Sequence, residues 1–213
     1  MSAAPLEIVW LGHLQYAAAH AHMLARLEAR IAGTVADALL LVEHDEVITL
    51  GRRRGAAGNV VAPGDVPVVE VERGGDVTWH GPGQLVGYPV VALAPGAERD
   101  LGRYLRALED ALAATVAALG VRGAGRRAGL TGLWVDGVRK IASIGIAVRR
   151  WVTWHGFALN VAPDLGRFRA IQPCGLDASV MTSIAAEGGD GRMASARAAV
   201  APALAESLGR RLA

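Results

Sequence analysis

The stretch "GLWVDGVRKIASIGIAVRR", residues 132–150, decides how this chain folds. Two β-type runs flank Asp136-Gly137, a dipeptide that accepts the positive φ angles of a tight turn, so the stretch reads as an antiparallel hairpin. Outward from it, "WVTWHGFALNV" (151–161) supplies a further strand. Upstream, "ALLLVEH" (38–44) and "EVITLGRR" (46–53) are two short β-rich runs. The run 66–93 reads as strand, glycine turn, strand, proline-glycine turn, strand. Residues 16–30 form an amphipathic helix with Met23, Leu27 and Ile31 at spacings of four. A second helix is expected over 101–119, capped by Asp100 and closed by Gly120. A last one, in 194–213, should be interrupted near Pro202. Hairpins dominate over long crossovers. The expected fold is therefore α/β of the α+β type, a single domain over residues 1–213 with a mixed, largely antiparallel sheet flanked by helices.

Composition excludes several classes of function. With 52% hydrophobic and 20% charged residues, the 213-residue chain is globular rather than disordered. One cysteine leaves no intrachain disulfide and no cysteine-rich zinc site, which suits a reducing compartment. The first residues lack a basic segment followed by a long apolar run, and no stretch has the length of a membrane span. A cytoplasmic protein without a membrane partner is expected. The net charge of +2 is too small to indicate nucleic acid, though it is compatible with an acidic partner.

Three stretches could carry chemistry. In "RGGDVTWHGPGQ" (73–84), a regular strand would put Asp76, Thr78 and His80 on one face and Val77 and Trp79 on the other. Its glycines would let backbone amides approach a ligand, although such clusters also make ordinary turns. In 138–150, alternation sets Lys140 with Ala142, Ile144 and Ile146, and Ser143 and Gly145 on the opposite face. A lysine on an apolar face either snorkels to water or is a partly desolvated ammonium. His155 and Gly156 interrupt a strand-like run as a sheet histidine and a bulge, or as part of a site. Arg52, Arg53 and Arg54 form a basic patch, and His44 is ambiguous. The six histidines show no HxxxH or HExxH spacing, so no metal site is expected, and no phosphate-binding loop or dinucleotide fingerprint is present. No cofactor is implied. Cys174, in "RFRAIQPCGLDAS" (167–179), is either a buried filler or a nucleophile.

Taken together, "RGGDVTWHGPGQLVGYP" (73–89), "RKIASIGIAVRRWVTWHGFALNV" (139–161) and "IQPCGL" (171–176) resemble the lipoyl(octanoyl) transferases of lipoate biosynthesis. The likeness runs from about Leu40 to about Met181. It implies a biotin/lipoate-ligase type of fold. It also implies an enzyme that moves an octanoyl group from octanoyl-acyl carrier protein to a lysine of apo lipoyl domains through a cysteine thioester. The acceptors would be the E2 subunits of 2-oxoacid dehydrogenases and the glycine cleavage H protein, and the enzyme a monomer. By this resemblance Cys174 is the nucleophile and Lys140 the residue that sets its pKa. Lys140 is also the first candidate for the base that deprotonates the acceptor amine, and His80 the second. Acyl-substrate contacts would fall on Arg73, Gly74, Gly75, Asp76, Val77, Thr78, Trp79 and His80. Two further groups would join them: Ser143, Ile144 and Gly145, and Gly156, Phe157 and Ala158. Asp76, where glutamine is common in the family, adds a charge beside this site, and Trp79 stands where tyrosine is common. An ATP-dependent lipoate or biotin ligase, a cysteine thioesterase and a non-catalytic binding module are the competing readings.

Overall fold

Near-continuous apolar runs in the central strands, such as residues 38–42, let one sheet be covered on both faces. The computed structural model describes residues 3–213 apart from the side chain of Cys174. In chain order run β1 (Ala4–Leu14), α1 (Tyr16–Ile31), β2 (Asp37–His44), β3 (Val47–Leu50), β4 (Val68–Glu70), β5 (Val77–His80) and β6 (Gln84–Val90). They are followed by α2 (Leu101–Ala118), β7 (Ala124–Arg127), β8 (Leu130–Val135), β9 (Arg139–Arg149), β10 (Val152–Asn160), α3 (Met193–Ser207) and β11 (Arg210–Leu212). The large sheet has the order β11-β1-β2-β6-β10-β9-β8-β7, and a small sheet has the order β4-β3-β5. Only β1 pairs in parallel within the large sheet, with β2 and β11, so it is mixed and largely antiparallel as expected.

In β2, Leu39 and Leu41 join the core under α2 and α3, while Ala38, Leu40 and Val42 face Ala19, Met23 and Leu27 of α1. Beneath the small sheet, Ile48, Val77 and Trp79 pack with Phe168, Ile171 and Met181. No described helix is long and apolar enough to cross a membrane.

Several expectations need correction. The helix α3 runs unbroken through Pro202. Its Val200, Ala201 and Leu204 are buried, and this packing outweighs the one backbone hydrogen bond that proline removes. The runs 38–44 and 46–53 diverge into different sheets, as do β5 and β6 on either side of the Pro82 turn. The strands β1, β7 and β11 carried no sequence signal that set them apart. β11 is three residues long and is held instead by Arg210, whose guanidinium donates to Asp37 at 2.8 Å.

A polar seam runs through the apolar interior and joins the two sheets. The Arg73 guanidinium donates to the carbonyl and the hydroxyl of Thr49, 2.9 Å each, and the Thr49 hydroxyl meets His80 Nε2 at 3.3 Å. On its other side His80 Nδ1 donates to the Gln84 side-chain oxygen (2.7 Å), whose amide nitrogen donates to Asn160 (3.0 Å). The Gln84 nitrogen also faces the Trp79 carbonyl, which fixes the amide orientation and hence the Nδ1–H tautomer of His80. Asn160 continues the chain to the Thr182 carbonyl, and the Thr182 N–H donates to the Lys140 carbonyl. Nearby, Tyr88 donates its hydroxyl proton to His44 Nε2 at 2.7 Å.

Burial, with the neighbouring His44, pushes His80 down to about 3, and burial pushes His44 down to about 4. Both rings are neutral in the fold and titrate near 6.5 once unfolded. The unfolded chain thus binds more protons between those values, so stability is full above about pH 6.5 and falls as pH drops toward 3–4. By pH 4 the two rings should together remove on the order of 6 kcal/mol, which urea titrations at pH 7, 5.5 and 4.5 will follow as a falling midpoint. A second prediction concerns Gly156 on β10. A Cβ there would lie 2.3 Å from the Gly87 carbonyl oxygen and 2.4 Å from Pro89 Cδ. Gly156→Ala should therefore cost about 1–3 kcal/mol in the same assay.

Candidate active site

The three stretches singled out in the sequence converge because of strand register. On the β9–β10 ladder Ser143 faces Ala158, Ile144 faces Phe157 and Gly145 faces Gly156. The two trios are thus cross-strand partners. The glycine turn before β5 lies against them: the Gly74 N–H donates to the Ile146 carbonyl at 2.8 Å. A Cβ on Gly145 would sit 2.8 Å from the Gly74 oxygen and 3.0 Å from Arg73 Cδ, so only glycine allows this crossing.

Between these elements lies a cavity of about 180 Å³. That is below the roughly 300–1,000 Å³ of pockets for drug-sized ligands, a size for a slender group. Arg73, Gly75, Asp76, Val77, Thr78 and His80 line one side. Ser143, Ile144, Gly145, Gly156, Phe157 and Ala158 line the other, with Lys140 and Pro173 also on the wall. Two expected contacts fall elsewhere. Trp79 points to the opposite face of β5, as strand alternation requires, and packs edge-on against Phe168 at 5.2 Å. Gly74 stays on the outer side, its amide spent on β9.

Lys140 corrects the alternation argument. Leu133 pairs with Ala142 but Trp134 pairs with Lys140, so β9 holds one extra residue, Ile141, against β8. This bulge shifts the phase by one, and Lys140 and Ser143 line the same cavity instead of opposite faces. The lysine does not snorkel: it is 3% exposed. Its stem passes over Gly132, and its ammonium lies 5.3 Å from the centre of the Trp134 ring.

Cys174 lies in a 3₁₀ turn, Pro173–Gly175, and its side chain falls outside the described residues. The turn is fastened at both ends. Asn59 accepts the Gln172 N–H at 2.8 Å while its side chain donates to both Asp76 carboxylate oxygens at 3.0 and 2.8 Å. Downstream, Met181 bridges to Lys140 in parallel register. Asp76, whose charge was unexpected in this position, is also 3.5 Å from Arg53 and accepts the Val77 N–H. It serves as a clamp on the cysteine turn through Asn59.

Arg73 places fixed positive charge on the cavity wall, while the Asp76 carboxylate is engaged by Asn59 and Arg53. Arg73, 9% exposed, donates to the Asp76 carbonyl at 2.7 Å and keeps its charge at any working pH. Burial raises Tyr16 and Tyr88 well above the usual phenol range, so both remain neutral hydrogen-bond donors on the wall. His80, pushed down to about 3, is a poor proton acceptor and does not suit the role of second candidate base. Tyr16, Thr49, Tyr88 and Gly129 to Thr131 also line the cavity. Their contribution had no local motif: each comes from an element whose sequence reads as ordinary helix, strand or turn.

Comparison with known proteins agrees with this construction. Residues 15–208 match the Lipoyl protein ligase A/B catalytic domain. An octanoyltransferase of Geobacter sulfurreducens is 52% identical over 198 residues, covering 92% of this chain and 82% of that protein. One of Geobacter metallireducens is 53% identical over 176 residues, 83% and 80% of the two chains. Among solved structures, a lipoate-protein ligase A bound with ATP aligns with a TM-score of 0.76 at 19% identity, over 100% of this chain and 88% of that one. The bi-partite lipoate protein ligase of Thermoplasma acidophilum aligns at 0.74 and 18%, over 100% and 86%. These two likenesses speak for the fold. With the sequence identities, the fold and the convergent cavity in hand, the chain belongs to the octanoyltransferases, acyltransferases of the lipoyl protein ligase A/B catalytic-domain family.

Proposed function

We propose that this protein transfers an octanoyl group from octanoyl-acyl carrier protein to a lysine of an apo lipoyl domain, with Cys174 as the acyl-carrying nucleophile and Lys140 as its proton partner. The observation that carries this reading is the shared wall: Pro173, next to Cys174, and the buried Lys140 line one cavity. Octanoyltransferase is also the name carried by the relatives at about half identity.

The chemistry starts from a thiol with an ordinary pKa near 8.5, which a neighbouring ammonium lowers. The Cys174 thiolate attacks the thioester carbonyl of the donor, the new carbon–sulfur bond forms, and the carrier's thiolate leaves with a proton from the Lys140 ammonium. One thioester replaces another, so no ATP is required. The acceptor lysine then enters as free amine, its ammonium proton already lost to solvent, and attacks the acyl-enzyme. Neutral Lys140 takes one of the two protons on the attacking nitrogen as Cys174 departs as thiolate, leaving the amide N–H and restoring the starting ion pair.

Each tetrahedral intermediate carries an oxyanion. Backbone amides around Gly75, beside Arg73, are the candidate donors, because those of Gly175 and Leu176 after Cys174 already donate to the Gln172 and Pro173 carbonyls. The apolar wall of Val86, Ile144, Phe157 and Ala158 suits the alkyl chain, each buried methylene contributing about 0.8 kcal/mol. The carrier and lipoyl domains would dock at the outer rim, where the exposed Arg52, Arg53 and Arg54 offer positive charge to an acidic partner.

Incubation with octanoyl-acyl carrier protein, without ATP, followed by intact-mass measurement tests the pathway. A hydroxylamine-labile octanoyl adduct, absent in Cys174→Ala and passed on to an apo lipoyl domain, is expected. An unchanged transfer in Cys174→Ala, or strict dependence on ATP, would overturn the reading in favour of a ligase, and release of free octanoate alone would make it a thioesterase. For Lys140→Met, kcat should fall by about 10²–10⁴-fold. The pH profile of Cys174 alkylation should also move upward relative to the wild type; an unmoved profile would remove Lys140 from the ion pair.

A further inference from the structure

The histidine ring of His155 poses a problem that octanoyl transfer does not solve. It is 3% exposed, and its Nε2 has no hydrogen-bond partner among the described residues. A buried polar atom left without a partner costs free energy, so its position calls for an explanation. The backbone at His155 adopts a φ of +55°, uncommon for a residue with a side chain, and its N–H turns to Met23 Sδ at 3.2 Å. The ring is thereby aimed at Glu72, whose Oε2 lies 3.6 Å from Nε2. The same carboxylate oxygen is 3.3 Å from His20 Nε2. The three donor atoms lie within 4.8 Å of one another.

We propose that His20, Glu72 and His155 form a three-ligand site for a first-row transition ion of the Zn²⁺ class, with the remaining coordination position taken by water. The donor set is the first argument: two imidazoles and one carboxylate are a common combination around zinc with one open position. Distances are the second. With metal–ligand bonds of about 2.0–2.2 Å, neighbouring donors on a tetrahedron stand roughly 3.3–3.6 Å apart. The 3.3 and 3.6 Å separations already meet that spacing, and the remaining edge, between the two imidazoles, lies within 4.8 Å beside the half-buried His20 ring.

Charge placement is the third argument: the Glu72 carboxylate stands against both imidazoles and offsets the charge of its sequence neighbour Arg73 for an incoming cation. Local histidine spacing carries no metal motif because the donors come from α1, from the turn after β4 and from β10. Only the fold unites them.

An ion here would tie three walls of the cavity together. Tyr16 on α1 and His155 on β10 both line it, and Glu72 precedes Arg73 directly. Occupancy would therefore set how rigidly the acyl chamber is held, without any role in the transfer itself.

Titration of the full chain, stripped with a chelator and desalted, with Co²⁺ and then Zn²⁺ tests the site. One Co²⁺ per chain is expected, with the intense visible bands of four-coordination and no thiolate charge-transfer band, displaced stoichiometrically by Zn²⁺. Cys174→Ser should leave both spectra unchanged. His20→Ala and Glu72→Gln, both at partly exposed positions, should fold as judged by circular dichroism and weaken Zn²⁺ by about 10–100-fold or more. At a free concentration a hundred times Kd, Zn²⁺ should raise the Tm of the wild type by about 5–10 °C. Absence of Co²⁺ bands, equal Zn²⁺ affinity in the two variants, or a thiolate band that Cys174→Ser removes would each overturn the proposal. None of these readouts depends on octanoyl transfer.

Discussion

A guanidinium buried beneath a cavity is the constraint around which this site is arranged. Arg73 cannot shed its proton, so the fold must bring acceptors to it rather than neutralise it. Thr49 on β3 gives a carbonyl and a hydroxyl, and Asp76 gives its carbonyl. Those bonds fix the glycine turn before β5 in the position from which the Gly74 amide reaches β9. Through Thr49 the same interaction orients His80, and through His80 and Gln84 it reaches Asn160 and the segment that pairs with Lys140. One buried charge thus couples the small sheet to the large one.

The cost of this arrangement is spread over groups kept in their neutral forms. His44 and His80 are buried as uncharged imidazoles, and Tyr16 and Tyr88 as phenols that do not ionise. Positive charge in the chamber is carried by Arg73 and Lys140, while the Asp76 carboxylate on the same wall is held by Asn59 and Arg53. In such surroundings a cation acts on a developing anion with little screening. Such surroundings favour the anionic groups that an acyl transfer develops.

The cysteine turn illustrates how a short, irregular segment is made dependable. Three residues of 3₁₀ helix have little intrinsic stability. The turn is held from outside, upstream by Asn59 and downstream by the bridge from Met181 to Lys140. Asp76 has a place in this scheme: its carboxylate grips the Asn59 amide from within the wall of the cavity. That carboxylate thereby becomes part of the support for the turn that carries Cys174. The opposite flank, where His20, Glu72 and His155 meet, has comparable means of being tied.

Much of this was legible from the chain alone. The Asp136-Gly137 hairpin, the helix around Met23 and Leu27, and the placing of Asp76, Thr78 and His80 on one side of a strand follow from local periodicity, which depends only on neighbouring residues. The order of the three motif stretches sufficed to indicate the family. Other features were decided by tertiary structure. The bulge at Ile141 that turns Lys140 into the cavity appears only when β9 is laid against β8, because a phase shift belongs to a pair of strands and not to one. The continuation of α3 through Pro202 depends on what it packs against. The short β11 depends on a buried ion pair with a residue far away in sequence. The sequence determined which residues could do chemistry and on which local face they stand; the fold decided which of those faces meet, because burial, register and long-range hydrogen bonds are properties of segments brought together.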